Sequence, residues 1–139
     1  MAANTSPIFV LNGNIGTARL VAANTASDGS GTVYTAVTAG ANGTRVDGIR
    51  FRNSQVTAAA SSNMVHRIFL TDTTGANPRC IGEVATATAT RSTTAIGATS
   101  IYVFDQPLIM KSGQFMTVCQ SVYASAADQF DASAFGGDY

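Results

Sequence analysis

Clusters of Gly, Asn, Ser and Thr interrupt this chain about every ten residues, the spacing of a many-stranded sheet rather than of helices. The turns are specific. Asp28-Gly29-Ser30-Gly31 supplies positive φ at little cost, and Asn42-Gly43 is a strong short hairpin signal. Lys111-Ser112-Gly113 closes a later run. No long stretch carries helical caps.

Between the turns lie short β-rich runs. Ile8-Phe9-Val10-Leu11 is apolar and breaks at Asn12-Gly13-Asn14, and Gly16 to Ala23 reads as a second short strand. Val33 to Val37 follows. From Val46 to Asn53 the period of two puts Ile49 and Phe51 on one face and Arg50 and Arg52 on the other. Met64 to Asp72 is the most hydrophobic run, with Met64, Ile68 and Leu70 facing one way and Val65 and Phe69 the other. That suits a central strand, or one whose outer face meets a neighbour. Arg79 to Val84 is short. The Thr/Ala tract from Thr86 to Thr94 reads as a flat edge strand or a loop. Ile101 to Phe104 is a strand that Asp105-Gln106-Pro107 ends or kinks. Phe115 to Val122 puts Met116, Val118 and Val122 on one face and Phe115 and Cys119 on the other, and Gln129 to Phe135 pairs back into the sheet before Gly136-Gly137.

These runs predict an all-β chain: a single-domain, jelly-roll-like β-sandwich of about eight strands with an extended N-terminal arm. Residues 1–31 form the arm and early strands, and residues 32–139 the sandwich. A chain of 139 residues holds a core without disulfides or metal.

Charge narrows the function classes. Only 12% of residues are charged and the net charge is +0, while 45% are hydrophobic. Hydrophobic content of that order argues against disorder, and sparse charge marks surfaces buried between subunits. Lys111 is the only lysine, and the remaining cations are Arg residues spread from Arg19 to Arg91. That spread predicts neither a nucleic-acid footprint nor a membrane-binding face. The start of the chain has no basic residue and no long apolar run. The expectation is therefore synthesis in the cytoplasm, with Cys80 and Cys119 as reduced thiols.

No constellation for catalysis stands out. His66 is the only histidine, so a Ser–His–Asp triad would need it, with Asp47 or Asp72 as orienting acid. The commoner role for such a residue is a hydrogen-bonded core or interface histidine. The eight acids are scattered, without calcium-loop spacing. Asp128 and Asp131 read as solvated charges before they read as a calcium pair. No cofactor or metal is expected. Asn42-Gly43-Thr44, a glycosylation pattern, reads as a turn.

Arg50 and Arg52 are the most interesting charged pair. They either clamp a carboxylate of a neighbouring chain or stand solvated on an outer sheet face, the commoner arrangement. Phe130 and Phe135 read as core, and Tyr139 as exposed or docked on a partner. The candidate interface is therefore Ile8, Phe9, Val10, Leu11, Arg50, Arg52 and Tyr139.

Four segments resemble a family. Tyr34 to Ile49, through Ala39-Gly40-Ala41-Asn42-Gly43-Thr44-Arg45-Val46-Asp47, is similar to the stretch before the first strong strand in small structural proteins of tailed phages. Val65 to Thr73 resembles a strand of those proteins. Pro107 to Gly113 resembles their entry to a late strand, and Ala134 to Tyr139 their Gly-Gly-Asp terminus. The resemblance covers residues 34–139 and is weaker before Val33. It implies a jelly-roll-like virion protein of the capsid surface, a decoration or cement protein bound between major-capsid subunits, commonly a homotrimer on a local threefold axis. It brings no catalytic residues. The competing expectation is a tail fibre, spike or baseplate module that binds a host glycan; zero Trp and four Tyr weigh against it.

Overall fold

The computed structural model describes residues 10–55 and 58–139. Its nine strands are β1 (Asn12–Gly13), β2 (Thr17–Leu20), β3 (Tyr34–Thr38), β4 (Thr44–Asn53), β5 (Met64–Leu70), β6 (Arg79–Thr86), β7 (Thr99–Met110), β8 (Phe115–Gln120) and β9 (Phe130–Asp138). One sheet has the order β1-β9-β4-β7, with β2 also on β9, and the other runs β3-β8-β5-β6. Pairing is antiparallel and nested: β2 with β9, β3 with β8, β4 with β7, β5 with β6. The chain is thus one long hairpin, its tip at β5–β6, rolled into two packed sheets. That is the jelly roll.

The turns form where the sequence places them, but not all join paired strands. Gly43 adopts φ 95° and its N–H closes on the Gly40 carbonyl at 3.0 Å. Yet β3 and β4, on either side, belong to different sheets. The Asn42-Gly43 hairpin signal therefore marks a corner of the roll. The β5–β6 connection is a true hairpin. Asp72 caps it, accepting from the N–H groups of Thr74 and Ala76 and from Asn77 Nδ2.

The core fills from period-two faces. Ile49 and Phe51 of β4, Phe130 of β9 and Leu20 of β2 meet Ile68, Met116, Val118 and Val37 of the other sheet, all buried. Phe69 is also buried, but on the outer side of β5, where Gly29 and Pro78 lie against it. The two-faced β5 is thus an interior strand covered by the chain's own loop.

One local expectation needs correction, and two open alternatives are decided. Of ending the strand or kinking it, Pro107 does the second. The strand runs to Met110, and four residues bulge out between Val103, opposite Gly48, and Leu108, opposite Val46. A bulge of this kind admits a Pro without removing a ladder hydrogen bond. Next, Gly136 and Gly137 do not lie beyond the last strand but inside β9. A Cβ at Gly136 would sit 1.9 Å from the Arg45 carbonyl oxygen, so only Gly lets these backbones close up. Lastly, most of the Thr/Ala tract after β6 is loop, tied by a bridge between Thr90 and Ala60.

Candidate functional site

The outer face of the β2-β9-β4-β7 sheet gathers four of the chain's seven arginines. In β4 the inward set Ile49, Phe51 and Asn53 leaves Gly48, Arg50 and Arg52 pointing outward. The register then builds rows across the sheet. Arg52 lies between Thr99 and Asp131, with Arg19 beyond Asp131. Arg50 lies between Ile101 and Ser133, and Gly48 between Val103 and Phe135.

Arg91 joins this face from the loop after β6. Its Nη1 donates to the carbonyl oxygens of Gln55 at 2.8 Å and Asn53 at 3.5 Å. Arg19, Arg50, Arg52 and Arg91 then line a cleft of about 440 Å³ together with Asp131 and Ser133. Arg19 pairs with Asp131 through both carboxylate oxygens, at 2.8 and 3.3 Å. That hydrogen-bonded ion pair raises the pKa of the Arg19 guanidinium further. Among the described residues, no carboxylate pairs with Arg50, Arg52 or Arg91. Four guanidinium groups against one carboxylate leave about three net positive charges in the cleft, within a chain whose formal net charge is +0. Their mutual repulsion is relieved by an anion placed between them.

The β7 edge of the Arg50 row and the Gly48 row beyond it change character. Ile101, Val103 and Phe135 are exposed beside the cleft. Gly48 makes room for the Phe135 ring, whose Cζ would lie 2.5 Å from a Cβ there. Phe135 was expected in the core and is instead 37% exposed on this face. The bulge at Asp47 offsets β4 against β9 at this point and sets the register of the rows beyond it.

The other candidates fall as follows. Ile8 and Phe9 lie outside the described residues. Val10 and Leu11 are exposed, and the Leu11 N–H bonds the Asp138 carbonyl at 2.8 Å, at the far end of β9 from the cleft. Tyr139 is half-buried beside Gly43. So the structure brings Arg50 and Arg52 together but leaves Val10, Leu11 and Tyr139 elsewhere. Nothing in the linear spacing marks Arg19, Arg91 and Asp131 as neighbours of this pair: the arginines are dispersed along the chain and meet only through strand pairing and the loop after β6.

His66 is fully buried between the rings of Phe51, stacked at 4.2 Å, and Phe130, at 4.8 Å. Its Nδ1 meets Thr86 Oγ1 at 2.9 Å, and Thr86 Oγ1 meets Ser100 Oγ at 2.6 Å. Burial pushes its pKa down to about 3, so the ring is neutral at pH 7. Asp47 pairs with Arg45, and Asp72 is held at a pKa of about 2 by hydrogen bonds, first from the Thr74 hydroxyl and then from Asn77. Neither acid orients the histidine.

Asp128 is not a solvated charge. It is buried, and its carboxylate accepts from the Ser62 N–H at 2.6 Å, the Ser62 hydroxyl at 3.1 Å and the Ala124 N–H at 2.8 Å. It pins the loop before β5 to the 3-10 turn Ala126–Asp128. Asp131, three positions on, faces the cleft. Among the described residues, no three His, Cys, Asp or Glu side chains gather as a metal site. No family model, curated protein or solved structure matches this chain.

Proposed function

We propose that this chain is a structural protein of a phage virion, a capsid decoration or cement protein that binds as a homotrimer between major-capsid subunits and stabilises the shell. One observation carries the reading: the outer face of the β2-β9-β4-β7 sheet combines a cluster of arginines with exposed Ile101, Val103 and Phe135. Arg and aromatic residues are enriched at protein interfaces, whereas Lys and Glu are depleted there. Lys and Glu are also almost absent from this chain, each occurring once. The jelly-roll topology and the four segments that resemble tailed-phage proteins support the same reading.

The stabilising effect follows from mass action. A ligand that binds only the assembled shell adds about 2.7 kcal/mol per site when its concentration is a hundredfold above Kd. The test is co-sedimentation of the purified protein with undecorated capsid shells, followed by imaging of the complex. Saturable binding at regular shell positions, with a higher temperature of shell disruption, is the expected result. Failure to bind shells, or virion images that place the protein in the tail, overturns the proposal.

A further inference from the structure

We infer that the arginine cleft is a docking site for an acidic segment of a partner protein, whose side-chain carboxylates are held by Arg50 and Arg52. The inference rests on the assembly reading above for who the partner is. The choice of ligand class rests on the cleft itself.

Arg50 and Arg52 are exposed, two positions apart on one strand face, and neither has a side-chain hydrogen-bond partner among the described residues. Arg91 is anchored by two backbone carbonyls, so its charge stands in place before any ligand arrives. The guanidinium fork matches a carboxylate or a phosphate equally well. Three features favour the carboxylate of a protein. Asp131 stands within the cleft, where its charge opposes a doubly charged phosphate group. Among the described residues, no aromatic side chain lines the cleft to stack a base; Phe135 stands outside it, in the Gly48 row. And no basic track leads out of it: Arg45 is paired with Asp47, and Arg67 with Glu83 on the other sheet. A nucleic-acid backbone needs such a track.

An apolar patch beside the arginines completes the site. An extended segment that places acidic side chains over Arg50 and Arg52 sets its neighbouring residues over Ile101, Val103 and Phe135. The occupant is therefore an acidic segment with adjoining apolar residues.

The test uses the full chain, labelled for detection of arginine Nε–H signals, titrated separately with hexaglutamate and with a twelve-residue oligothymidylate. Hexaglutamate should shift the signals of Arg50 and Arg52 but not that of Arg79 on the other sheet. Each of Arg50→Gln and Arg52→Gln should weaken binding about tenfold, the loss expected for one charge-assisted pair. Both side chains are exposed, and an unchanged melting temperature establishes that the variants fold. Equal shifts at Arg79, no shift at Arg50 and Arg52, or tighter binding of the oligonucleotide overturns the inference. Shell binding separates the two proposals. If the R50Q/R52Q double variant binds shells as the wild type does, the docking inference falls and the decoration reading stands. If the wild type binds hexaglutamate in the cleft but not shells, the decoration reading falls and the docking site stands.

Discussion

His66 should make the stability of this fold fall as the solution is acidified from neutral pH, well before the carboxylates titrate. The ring is sealed between Phe51 and Phe130, and burial holds its pKa down at about 3. In the unfolded chain the same ring has its ordinary value, near 6.5. Below pH 6.5 the unfolded state therefore binds a proton that the folded state refuses. Stability is complete above pH 6.5 and declines as pH falls towards 3. The slope approaches about 1.4 kcal/mol per pH unit, so about 2 kcal/mol is lost by pH 5. Asp72 titrates in a lower window: its folded pKa is about 2, so its contribution is present above its unfolded value and is lost as pH falls through 2. Urea unfolding at pH 7.5, 6 and 5 measures the effect, which corresponds to a midpoint lower by about 1 M at pH 5. His66→Gln, with His66→Phe as a second non-titrating variant, should remove the slope in this range. As the only histidine, His66 also reports directly by NMR, and its ring protons should not titrate above pH 4.5 in the folded protein. A ring that titrates near pH 6.5 in the native state, or a slope that survives both substitutions, refutes the reasoning.

Three further outcomes are expected. Asp128→Ala leaves the Ser62 and Ala124 donors without their acceptor and should cost about 2–4 kcal/mol in urea unfolding. Gly48→Ala puts a Cβ 2.6 Å from the Tyr102 carbonyl oxygen and against the Phe135 ring; the strain should lower stability by about 1–3 kcal/mol, read from the melting temperature. In a thiol-reagent assay one cysteine should react in the native protein and both in denaturant. Cys80 is exposed, whereas Cys119 is buried and its thiol pKa is raised by that burial.

The arginine cleft and the buried histidine differ in how much of them a linear reading reaches. The outward placement of Arg50 and Arg52 follows from the alternation around Ile49 and Phe51, and the structure has that alternation. The neighbours of the pair do not follow. Arg19 reaches Asp131 across 112 residues of chain through the pairing of β2 with β9. Arg91 arrives from a loop of low complexity. For His66, its strand and its apolar flanks were legible, but its hydrogen bond to Thr86 depends on the β5–β6 register.

By itself, the sequence determined most of the strands, the turns and the faces of β4 and β8, because those depend on side-chain period and on backbone preferences within a few residues; β1 is the exception, pairing at Asn12–Gly13 where a break was expected. The sequence also held the all-β sandwich, since so many short runs between turns leave little else to build. Only the tertiary structure decided which turns are hairpins and which are corners. It also decided that Phe135 lies outside while Asp128 is buried, and that four dispersed arginines share one cleft. The physical reason is that a period of two gives a strand two faces but does not say which strand lies beside it. In a jelly roll the partners are nested from opposite ends of the chain, and the bulges at Asp47 and Pro107 set the register that local sequence leaves open.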